Sequence, residues 1–521
     1  MTNRSEDNKA TLTYFLIGIS SFHFINGIEQ FVRKFKIEPA FWTTHPRNIV
    51  NLNKKFSQTV CMNAHDLTCA DKEAVKTAIG VDKLDLEPLS PSFQEEFAKE
   101  RLLVQENLLH RSDPFINNYT HSEIRDTVNN YFIIAYNLLK TYNPKFILYE
   151  VAPHTMYDLA LYQLAENMGS KNILLVDTNI PSISFATTDF NNNRKFIKLS
   201  RNRQFGRNKL VKTFDEHIDK QGESIPFYMK NRKFSRSYGN MIYDFLKYLY
   251  ADSKKSLATL IKTQNNLNKK KTGYQKKKGY LLHEKTGNSF SKLKKFILGV
   301  QLEILYKDKS KGFSLENVAS YIYVPLSMQH ERTTMPSARF MYDQKAYIKL
   351  LANNLPPKYT LIVKENPKQF TYIRGARTRD KRFYEELENL DVQFAPLEFS
   401  SHKLIKYSSA VAVTTGSAGF EAVVGHNKPV LKFANSWYQQ LPGIYEINKG
   451  DDLKRFFLEL ENENCTINQE QVRSVLEDLK KFAIYLYPAG ITVKKQGWDA
   501  DLMSQNISAL LEQELEVAEY V

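Results

Sequence analysis

Two stretches of this chain alternate short apolar runs with amphipathic helical patterns, and a lysine-rich segment separates them. In the first half, helical spacing in "NGIEQFVRKF", "DTVNNYFIIAYNLLKTY" and "TMYDLALYQLAENMG" falls between strand patterns in "TYFLIGIS", "KFILYEV" and "NILLVD". The second half repeats the alternation, with strand patterns in "SYIYVPL", "YTLIVKE", "DVQFAP", "AVAVTT" and "PVLKFA". Helices between short buried strands indicate parallel sheets. The sequence therefore predicts an α/β protein with two doubly wound domains in tandem.

The length of 521 residues exceeds what one hydrophobic core usually serves, which agrees with a division into domains. We expect a Rossmann-like N-terminal domain at 11–235 and a lysine-rich helical insertion or linker at 236–315. A second Rossmann-like domain is expected at 316–463, followed by C-terminal helices at 464–521. Residues 85–125 look irregular, and the sequence predicts no element there.

The positive charge of the chain is concentrated in one segment. Between Ser253 and Lys295 there are thirteen lysines and one acidic residue, Glu284, so this segment carries +12 of the net charge of +15. Such a segment is typical of a solvated insertion, and clustered lysines also favour contact with an anionic membrane surface. Specific nucleic-acid binding is disfavoured, because no recognised nucleic-acid motif accompanies the lysines.

Cysteine usage and the N-terminal sequence indicate the compartment. Cys61, Cys69 and Cys465 have no metal-ligand spacing and leave an odd number for disulfides, which favours a reducing cytoplasm. The N-terminal "MTNRSEDNKA" is mixed in charge, and the apolar run behind it is interrupted by polar residues. We expect a soluble cytoplasmic protein, or one at the inner face of the membrane.

Residues 410–438 read "AVAVTTGSAGFEAVVGHNKPVLKFANSWY", a strand pattern followed by small and hydroxyl residues and then a helix pattern. Ligands of open parallel sheets bind at the carboxyl ends of strands, and a helix N-terminus attracts phosphate. Small residues allow backbone N–H groups to approach an anion, and Glu421 could accept hydrogen bonds from ribose hydroxyls. The stretch predicts a nucleotide-sugar site, although an ordinary strand-to-helix turn would have a similar pattern. The residues concerned are Thr415, Gly416, Ser417, Gly419 and Glu421.

Two further strand ends of the second half carry polar clusters. "LIVKENPKQF" places Lys364 and Asn366 after one strand, and "YVPLSMQHERTTMP" places Gln329, Glu331, Arg332 and Thr333 after another. Each cluster could be a solvated loop, but all lie on the predicted ligand-binding edge.

The succession "YVPL", "ERTT", "VKENP" and "AVAVTTGSAGFEAVV" resembles the bacterial capsule polysaccharide biosynthesis proteins, which are similar to glycosyltransferases that build capsules and other surface glycans. The resemblance covers about residues 318–445, with a looser match in "NPKFILYEVAPHTMYDLALYQLAENMG". It implies a GT-B-like fold, in which two Rossmann-like domains face a cleft. The second domain would hold the nucleotide-sugar donor, and the first would hold a glycan or lipid-linked acceptor. The resemblance implies neither a metal nor a cofactor, because GT-B enzymes generally neutralise the leaving phosphate with helix termini and basic side chains.

The resemblance also implies roles for individual residues. Gly416, Ser417 and Gly419 would form the phosphate-binding turn, Glu421 would hold the ribose, and Lys364 would lie near the leaving phosphate. The remaining cleft-lining positions are Gln329, Glu331, Arg332 and Thr333.

Two positions depart from the family pattern. Asn366 and Ser327 stand where the family often has histidine, and asparagine can donate only a neutral hydrogen bond. The pattern therefore does not predict a general acid at Asn366, and His330 is a nearby alternative.

A base that activates the acceptor should come from the first domain. The candidates at predicted strand ends are His154, Asp158 and His23, with Glu150 also nearby, and His154 is preferred because it follows Pro153 at a strand-to-helix junction. For any single one of these residues, helix capping or core hydrogen bonding is the stronger explanation.

Three functions remain open from the sequence. Glycosyl transfer to a capsule or other surface polysaccharide, or to its lipid-linked primer, is the leading one. The alternatives are a GT-B-like nucleotide-sugar epimerase and a non-catalytic scaffold that binds glycan or nucleotide. All three imply a nucleotide-sugar or glycan partner and no nucleic acid.

Overall fold

The computed structural model describes most of the two alternating stretches. The described residues are 12–80, 88–111, 120–189, 195–200, 204–220, 242, 243, 246, 250, 289–329, 331–371 and 378–519. Most of the lysine-rich segment, and His330, lie outside them. Within the described residues the chain forms two α/β domains, each built on its own sheet. The predicted fold class is confirmed.

The first sheet has a parallel centre with an antiparallel edge. Its strands run in the order β14-β6-β5-β4-β1-β2-β3, and β7 pairs with β6. The strands from β5 to β3 pair in parallel, while β6 pairs antiparallel with β5, β7 and β14. The strand bounds are β1 Tyr14–Ile17, β2 Phe41–Thr44, β3 Val60–Asn63, β4 Phe146–Tyr149, β5 Lys171–Asp177, β6 Ile183–Thr187, β7 Phe196–Ile197 and β14 Ile484–Tyr485.

The second sheet is parallel throughout. Its strands run in the order β10-β9-β8-β11-β12-β13. Both sheets therefore have the strand order of a doubly wound fold, in which the chain moves outward from a central strand in one direction and then in the other. The strand bounds are β8 Tyr321–Pro325, β9 Thr360–Lys364, β10 Gln393–Phe394, β11 Ala410–Val413, β12 Val430–Lys432 and β13 Ile444–Glu446.

The helices of the first domain include two in the region for which the sequence predicted no element, α5 and α6. Several begin at a side chain that caps the first turn, such as Thr120, which forms a capping box with Glu123 before α7. The bounds are α1 Phe22–Phe35, α2 Pro46–Lys55, α3 Ala64–Thr68, α4 Lys72–Ile79, α5 Pro91–Glu96, α6 Ala98–Arg111, α7 His121–Tyr142, α8 Met156–Asn167 and α9 Arg207–Asp219.

The remaining helices surround the second sheet and then return to the first. Two short 3₁₀ helices, Leu315–Asn317 and Arg339–Tyr342, flank β8. The bounds are α10 Ser289–Lys309, α11 Gln344–Ala352, α12 Lys368–Thr371, α13 Lys381–Glu388, α14 Ser401–Tyr407, α15 Ala418–His426, α16 Gly450–Glu461, α17 Gln469–Lys480, α18 Gly490–Gln496 and α19 Ala500–Glu519.

The C-terminal segment crosses back to the first domain. Strand β14 joins the edge of the first sheet beside β6, and α19 packs along α1. The contact between these helices is polar as well as apolar, since Ser504 Oγ donates to the His23 carbonyl at 2.9 Å. The first domain is therefore completed by residues that follow the second domain in sequence.

The central strands are buried on both faces, as parallel sheets covered by helices require. Apolar packing also continues between the domains. The Phe185 ring on β6 lies 5.7 Å from that of Trp437, which in turn lies 4.7 Å from the Phe420 ring on α15. Among the described helices, none is both long enough and apolar enough to cross a bilayer.

Candidate functional site

Strand order identifies one candidate crevice in each domain. The direction of winding reverses between β1 and β4 in the first sheet and between β8 and β11 in the second. Loops leaving the carboxyl ends of two such strands diverge to opposite faces, which opens a crevice where ligands bind. The predicted donor-site residues follow β8, β9 and β11, and the predicted base candidates lie after β1 and β4.

The turn after β11 holds a buried carboxylate directly beneath it. Ser417 precedes α15, and its Oγ donates to Glu421 Oε1 at 3.0 Å. Glu421 is only 7% exposed. Burial raises the pKa of the Glu421 carboxyl, and the charge of His402 and the Ser417 hydrogen bond oppose that rise. Glu421 therefore lies one helical turn from the predicted phosphate position.

The two glycines of this turn have different environments. A Cβ added to Gly419 would lie 2.6 Å from Tyr438 Oη and 3.1 Å from Val413 Cγ2, so α15 can approach β11 only without a side chain there. A Cβ on Gly416 would meet only Ser327 Oγ, at 3.8 Å, within 4 Å. Gly419 is thus explained by packing, and Gly416 leaves open space above the turn.

The loop after β8 meets this turn. Thr415 Oγ1 donates to the Thr333 carbonyl at 2.6 Å, and Ser327 faces Gly416. Thr333 is exposed and Glu331 and Arg332 are partly exposed, whereas Gln329 is only 5% exposed. The two strand-end clusters are therefore adjacent at the crevice of the second domain.

Buried polar side chains hold the β8 loop from below. Gln344 brackets Ser327, since its Oε1 accepts from Ser327 N at 2.9 Å and its Nε2 donates to Ser327 O at 2.8 Å. Gln329 donates through Nε2 to the Tyr342 carbonyl, and its Oε1 accepts from Arg379 at 2.5 Å. Gln329 is consequently occupied within the protein and supports the loop instead of facing the cleft.

Arg379 is the centre of this support. Its Nε lies 2.9 Å from Glu365 Oε2, and neither side chain is exposed. Tyr384 Oη donates to the same carboxylate oxygen at 2.9 Å, and Arg379 stacks over the Phe383 ring. Sequence reasoning missed Arg379, because no pattern distinguishes it from the neighbouring charged residues in "RGARTRDKR".

Lys364 and Asn366 lie at the end of β9. Lys364 Nζ donates to Ser401 Oγ at 3.0 Å, and burial lowers the pKa of Lys364 to about 8. Asn366 Oδ1 accepts from Lys368 N at 3.0 Å at the start of α12. The donors that Asn366 could offer a ligand are those of its amide NH2 group.

Two polar contacts cross from the second domain to the first. Arg332 forms an ion pair with Asp177 at the end of β5, and the Tyr342 hydroxyl donates to Glu106 Oε2 at 2.8 Å. Sequence reasoning missed Asp177, although its place at the end of "NILLVD" was a usable signal.

The crevice of the first domain is occupied by its own carboxyl group. Glu150 Oε2 accepts from the backbone N–H groups of Ser20 at 2.6 Å and Ser21 at 3.2 Å, at the start of α1. Ser21 Oγ contacts Glu150 Oε1, lies 2.7 Å from the Pro488 carbonyl and accepts from Gly490 N at 3.0 Å. One hydroxyl proton cannot serve both Glu150 and Pro488, so the network is complete only when Glu150 is protonated and donates. Burial raises the pKa of Glu150 to about 7, against the opposing effect of these hydrogen bonds.

The three predicted base candidates are placed as follows. His23 is fully buried with Nε2 2.8 Å from the Tyr487 carbonyl, and burial lowers the pKa of His23 to about 4. In this conformation His23 is not open to an acceptor. His154 is about one third exposed, and its backbone N–H donates to Asp158 Oδ1 at 3.1 Å, which fixes the start of α8. Asp158, in the first turn of α8, thus holds the backbone that leads into this helix, and His154 remains accessible.

Among the described residues, no group of three or more histidine, cysteine, aspartate or glutamate side chains could hold a metal ion. The three cysteines are all described and are free thiols.

Three solved structures illustrate what the fold is similar to. The beta Kdo 2,7 transferase of KpsC from Thermosulfurimonas dismutans aligns over 64% of this chain and 82% of its own, with 12% identity and a TM-score of 0.27. Anabaena HepE in complex with UDP-glucose aligns over 96% and 99%, with 10% identity and a TM-score of 0.24. The UDP-GlcNAc 2-epimerase of Methanocaldococcus jannaschii aligns over 90% and 99%, with 11% identity and a TM-score of 0.22. At these scores no functional conclusion follows from the likeness.

Sequence comparison is more specific. Residues 253–455 match the family described as capsule polysaccharide biosynthesis protein. The matched range contains every strand-end motif of the second domain. Comparison with curated proteins finds no match. The resemblance predicted from the motifs is thereby confirmed: over residues 253–455, this chain matches the capsule polysaccharide biosynthesis protein family.

Proposed function

We propose that this protein is a glycosyltransferase of capsule polysaccharide synthesis, which moves a sugar from a nucleotide-activated donor to a surface polysaccharide or its lipid-linked primer. The family match over residues 253–455 supports this function. The observation that carries it is the meeting of the β8 loop and the β11 turn at the crevice of the second sheet, with Thr415 Oγ1 2.6 Å from the Thr333 carbonyl. A donor bound there would contact both segments at once.

The residues present suit the charge of a nucleotide-sugar. The turn at Gly416 and Ser417 opens α15, whose N-terminus carries about half a positive charge. Lys364 remains mostly protonated at neutral pH, since burial lowers the pKa of Lys364 only to about 8. Together with Arg332 these groups would stabilise the leaving phosphate by preorganised electrostatics, without a metal and without a cofactor. Glu421 would accept hydrogen bonds from the ribose hydroxyls.

The experiment that tests the donor site is nucleotide binding by Glu421→Gln. Calorimetry with a panel of nucleoside diphosphates and CMP should find a ligand for the parent protein and an affinity weaker by about 1.5–3 kcal/mol for the variant, the range for a hydrogen bond to a charged group. Glu388→Gln is the matched control, because Glu388 is a surface residue of the same domain paired with Lys309. Equal affinities in all three proteins would remove Glu421 from the site.

The substitution at Asn366 tests whether the protein is an enzyme. If leaving-group protonation at this position is dispensable, the parent turns over donor, and Asn366→His gains a pH dependence near the histidine reference value of about 6.5. A parent that binds nucleotide without turnover, and gains transfer in Asn366→His, would identify a scaffold. Conversion of the nucleotide-sugar in the absence of any acceptor would instead identify an epimerase.

We further propose a cytoplasmic protein that makes peripheral contact with an anionic membrane. Four large apolar residues with helical backbone precede the lysine-rich segment and are between 54% and 66% exposed: Ile242, Tyr243, Leu246 and Tyr250. Exposed apolar residues followed by clustered lysines are typical of membrane-surface attachment. Neutralising Lys269–Lys271 and Lys276–Lys278 should reduce sedimentation with anionic vesicles at low salt. A parent protein that does not sediment with them would contradict the proposal.

A further inference from the structure

An ion pair connects the domain proposed to bind the donor with the domain proposed to bind the acceptor. Arg332, in the loop after β8, contacts Asp177, the last residue of β5 in the first domain. The side chains are 20% and 29% exposed, so the pair is accessible from solvent. They are 155 residues apart in sequence, and the contact exists only because the carboxyl ends of the two sheets face each other.

The position of Arg332 makes it available to a donor phosphate. Its neighbour Thr333 accepts from Thr415 Oγ1, which places the arginine's loop against the phosphate-binding turn. Guanidinium groups bind phosphate through paired, charge-assisted hydrogen bonds. Asp177 and the donor phosphate would therefore compete for the same arginine.

Resting on the glycosyltransferase function above, we propose that Asp177 is the base that activates the acceptor. Arg332 holds Asp177 in an ion pair until the donor's phosphate takes the arginine. While the ion pair holds, the guanidinium group of Arg332 occupies Asp177 Oδ1, and that oxygen becomes available to the acceptor hydroxyl when Arg332 turns to the phosphate. Donor binding thus prepares the base, and the empty protein keeps it inactive.

The chemical step balances without a further reactant. The acceptor hydroxyl loses its proton to the Asp177 carboxylate as its oxygen forms a bond to the anomeric carbon. The bond from that carbon to the phosphate oxygen breaks, and its electron pair leaves with the nucleotide, whose charge Arg332 and Lys364 stabilise. The proton on Asp177 then passes to solvent, and the ion pair with Arg332 forms again when the nucleotide departs.

Three of the other first-domain candidates are less suited to this role. Glu150 is committed to the N-terminus of α1, and His23 is fully buried. The side chain of Asp158 is 8% exposed and accepts from the His154 backbone N–H before α8. Asp177 is the more exposed carboxylate and already touches a predicted donor-binding residue.

The test compares Asp177→Asn with the parent and with Glu106→Gln. Glu106 is the matched control, because it is a first-domain carboxylate that also contacts the second domain but pairs with the neutral Tyr342 hydroxyl. The probes are the nucleotide-sugar from a panel of diphospho- and CMP-sugars that binds the parent, and its free nucleotide. Nucleotide release, with glycan acceptors or water, should fall 10²- to 10⁴-fold in kcat for Asp177→Asn, as loss of a general base predicts. Release by Glu106→Gln should stay within about threefold of the parent.

The free nucleotide should bind Asp177→Asn about two- to fivefold more tightly, because the arginine no longer has to leave an ion pair. Asp177→Ala should regain release when formate is added as a substitute carboxylate, which a misfolded variant cannot do. Release by Asp177→Asn within threefold of the parent, weaker nucleotide binding, or no formate rescue in a folded alanine variant would each overturn the proposal while leaving the transferase function intact. A parent that releases no nucleotide from any donor it binds would overturn the transferase function itself.

Discussion

The two domains have the same strand order at their crevices, yet the crevices are used differently. In the first domain, the Glu150 carboxyl group accepts hydrogen bonds from the backbone of Ser20 and Ser21 at the start of α1. In the second domain, the turn before α15 has open space above Gly416. The doubly wound topology therefore places a helix N-terminus at each crevice, and the protein's own Glu150 fills the first, whereas the second has open space above Gly416.

The two crevices also rest on different buried glutamates. Glu150 has hydroxyl and backbone partners, and burial raises the pKa of Glu150 to about 7. Glu365 lies at the end of β9 and is paired with Arg379 where neither side chain is exposed. A buried carboxyl group is tolerated either by becoming neutral or by acquiring a cation, and Glu150 and Glu365 illustrate these two solutions.

Replacing Arg379, the cation paired with Glu365, should have the largest effect on the unfolding free energy. Arg379→Leu leaves the Glu365 charge unpaired in the core and releases Gln329, so we expect a loss of about 3–5 kcal/mol in unfolding free energy. Arg382→Leu, on the exposed side of α13, is the matched control and should change stability by less than about 0.5 kcal/mol. Urea unfolding measures both. Equal losses would mean that the charge pair does not support the second crevice.

Glu150, the glutamate that stays neutral, should make the unfolding free energy depend on pH. The pKa of Glu150 is about 7 in the folded protein and 4.5 in its ordinary state, so between these values only the folded protein keeps the proton. The stabilisation that this proton adds to the unfolding free energy is therefore fully present below pH 4.5 and is lost as pH rises through 7. It amounts to about 3 kcal/mol in total. Glu150→Gln has an amide that can donate to Ser21 and accept from the backbone, and it does not titrate. Its unfolding free energy should lack this slope between pH 5 and 7.5, and an identical slope in parent and variant would contradict the neutral state.

The glycine pair in the second crevice should give the smallest stability effect and separates packing from binding. Gly419→Ala places a Cβ 2.6 Å from Tyr438 Oη, and we expect it to lose about 1–3 kcal/mol of unfolding free energy. Gly416→Ala meets nothing closer than 3.8 Å, so its stability should be unchanged while nucleotide affinity falls. Melting temperature and calorimetry distinguish the two. Unchanged affinity in Gly416→Ala would mean that the open space is not the phosphate position.

Much of the architecture was predictable because its signals are local. The apolar run in "AVAVTT" became β11, "KFILYEV" contains β4, and the small residues between strand and helix marked the turn at Gly416. Periodicity of apolar residues reports which face of an element is buried, whatever that element packs against. The antiparallel additions β6, β7 and β14 were not predicted: β7 and β14 are two residues each, too short for a periodic signal, and the partner of β14 lies far away in sequence.

By itself, the sequence determined the two doubly wound domains, the strand ends that carry polar residues and the match to a capsule polysaccharide biosynthesis family. Only the tertiary structure decided which of those residues meet. In that structure Asp177 contacts Arg332, and His23 is buried beneath the returning C-terminal segment. Gln329 accepts a hydrogen bond from Arg379 and does not face the cleft. Local propensity depends on neighbours within a few residues, whereas the state of a polar side chain depends on burial and on partners that are distant in the chain. For Asp177 and Arg332 that separation is 155 residues, and no local pattern could have predicted their contact.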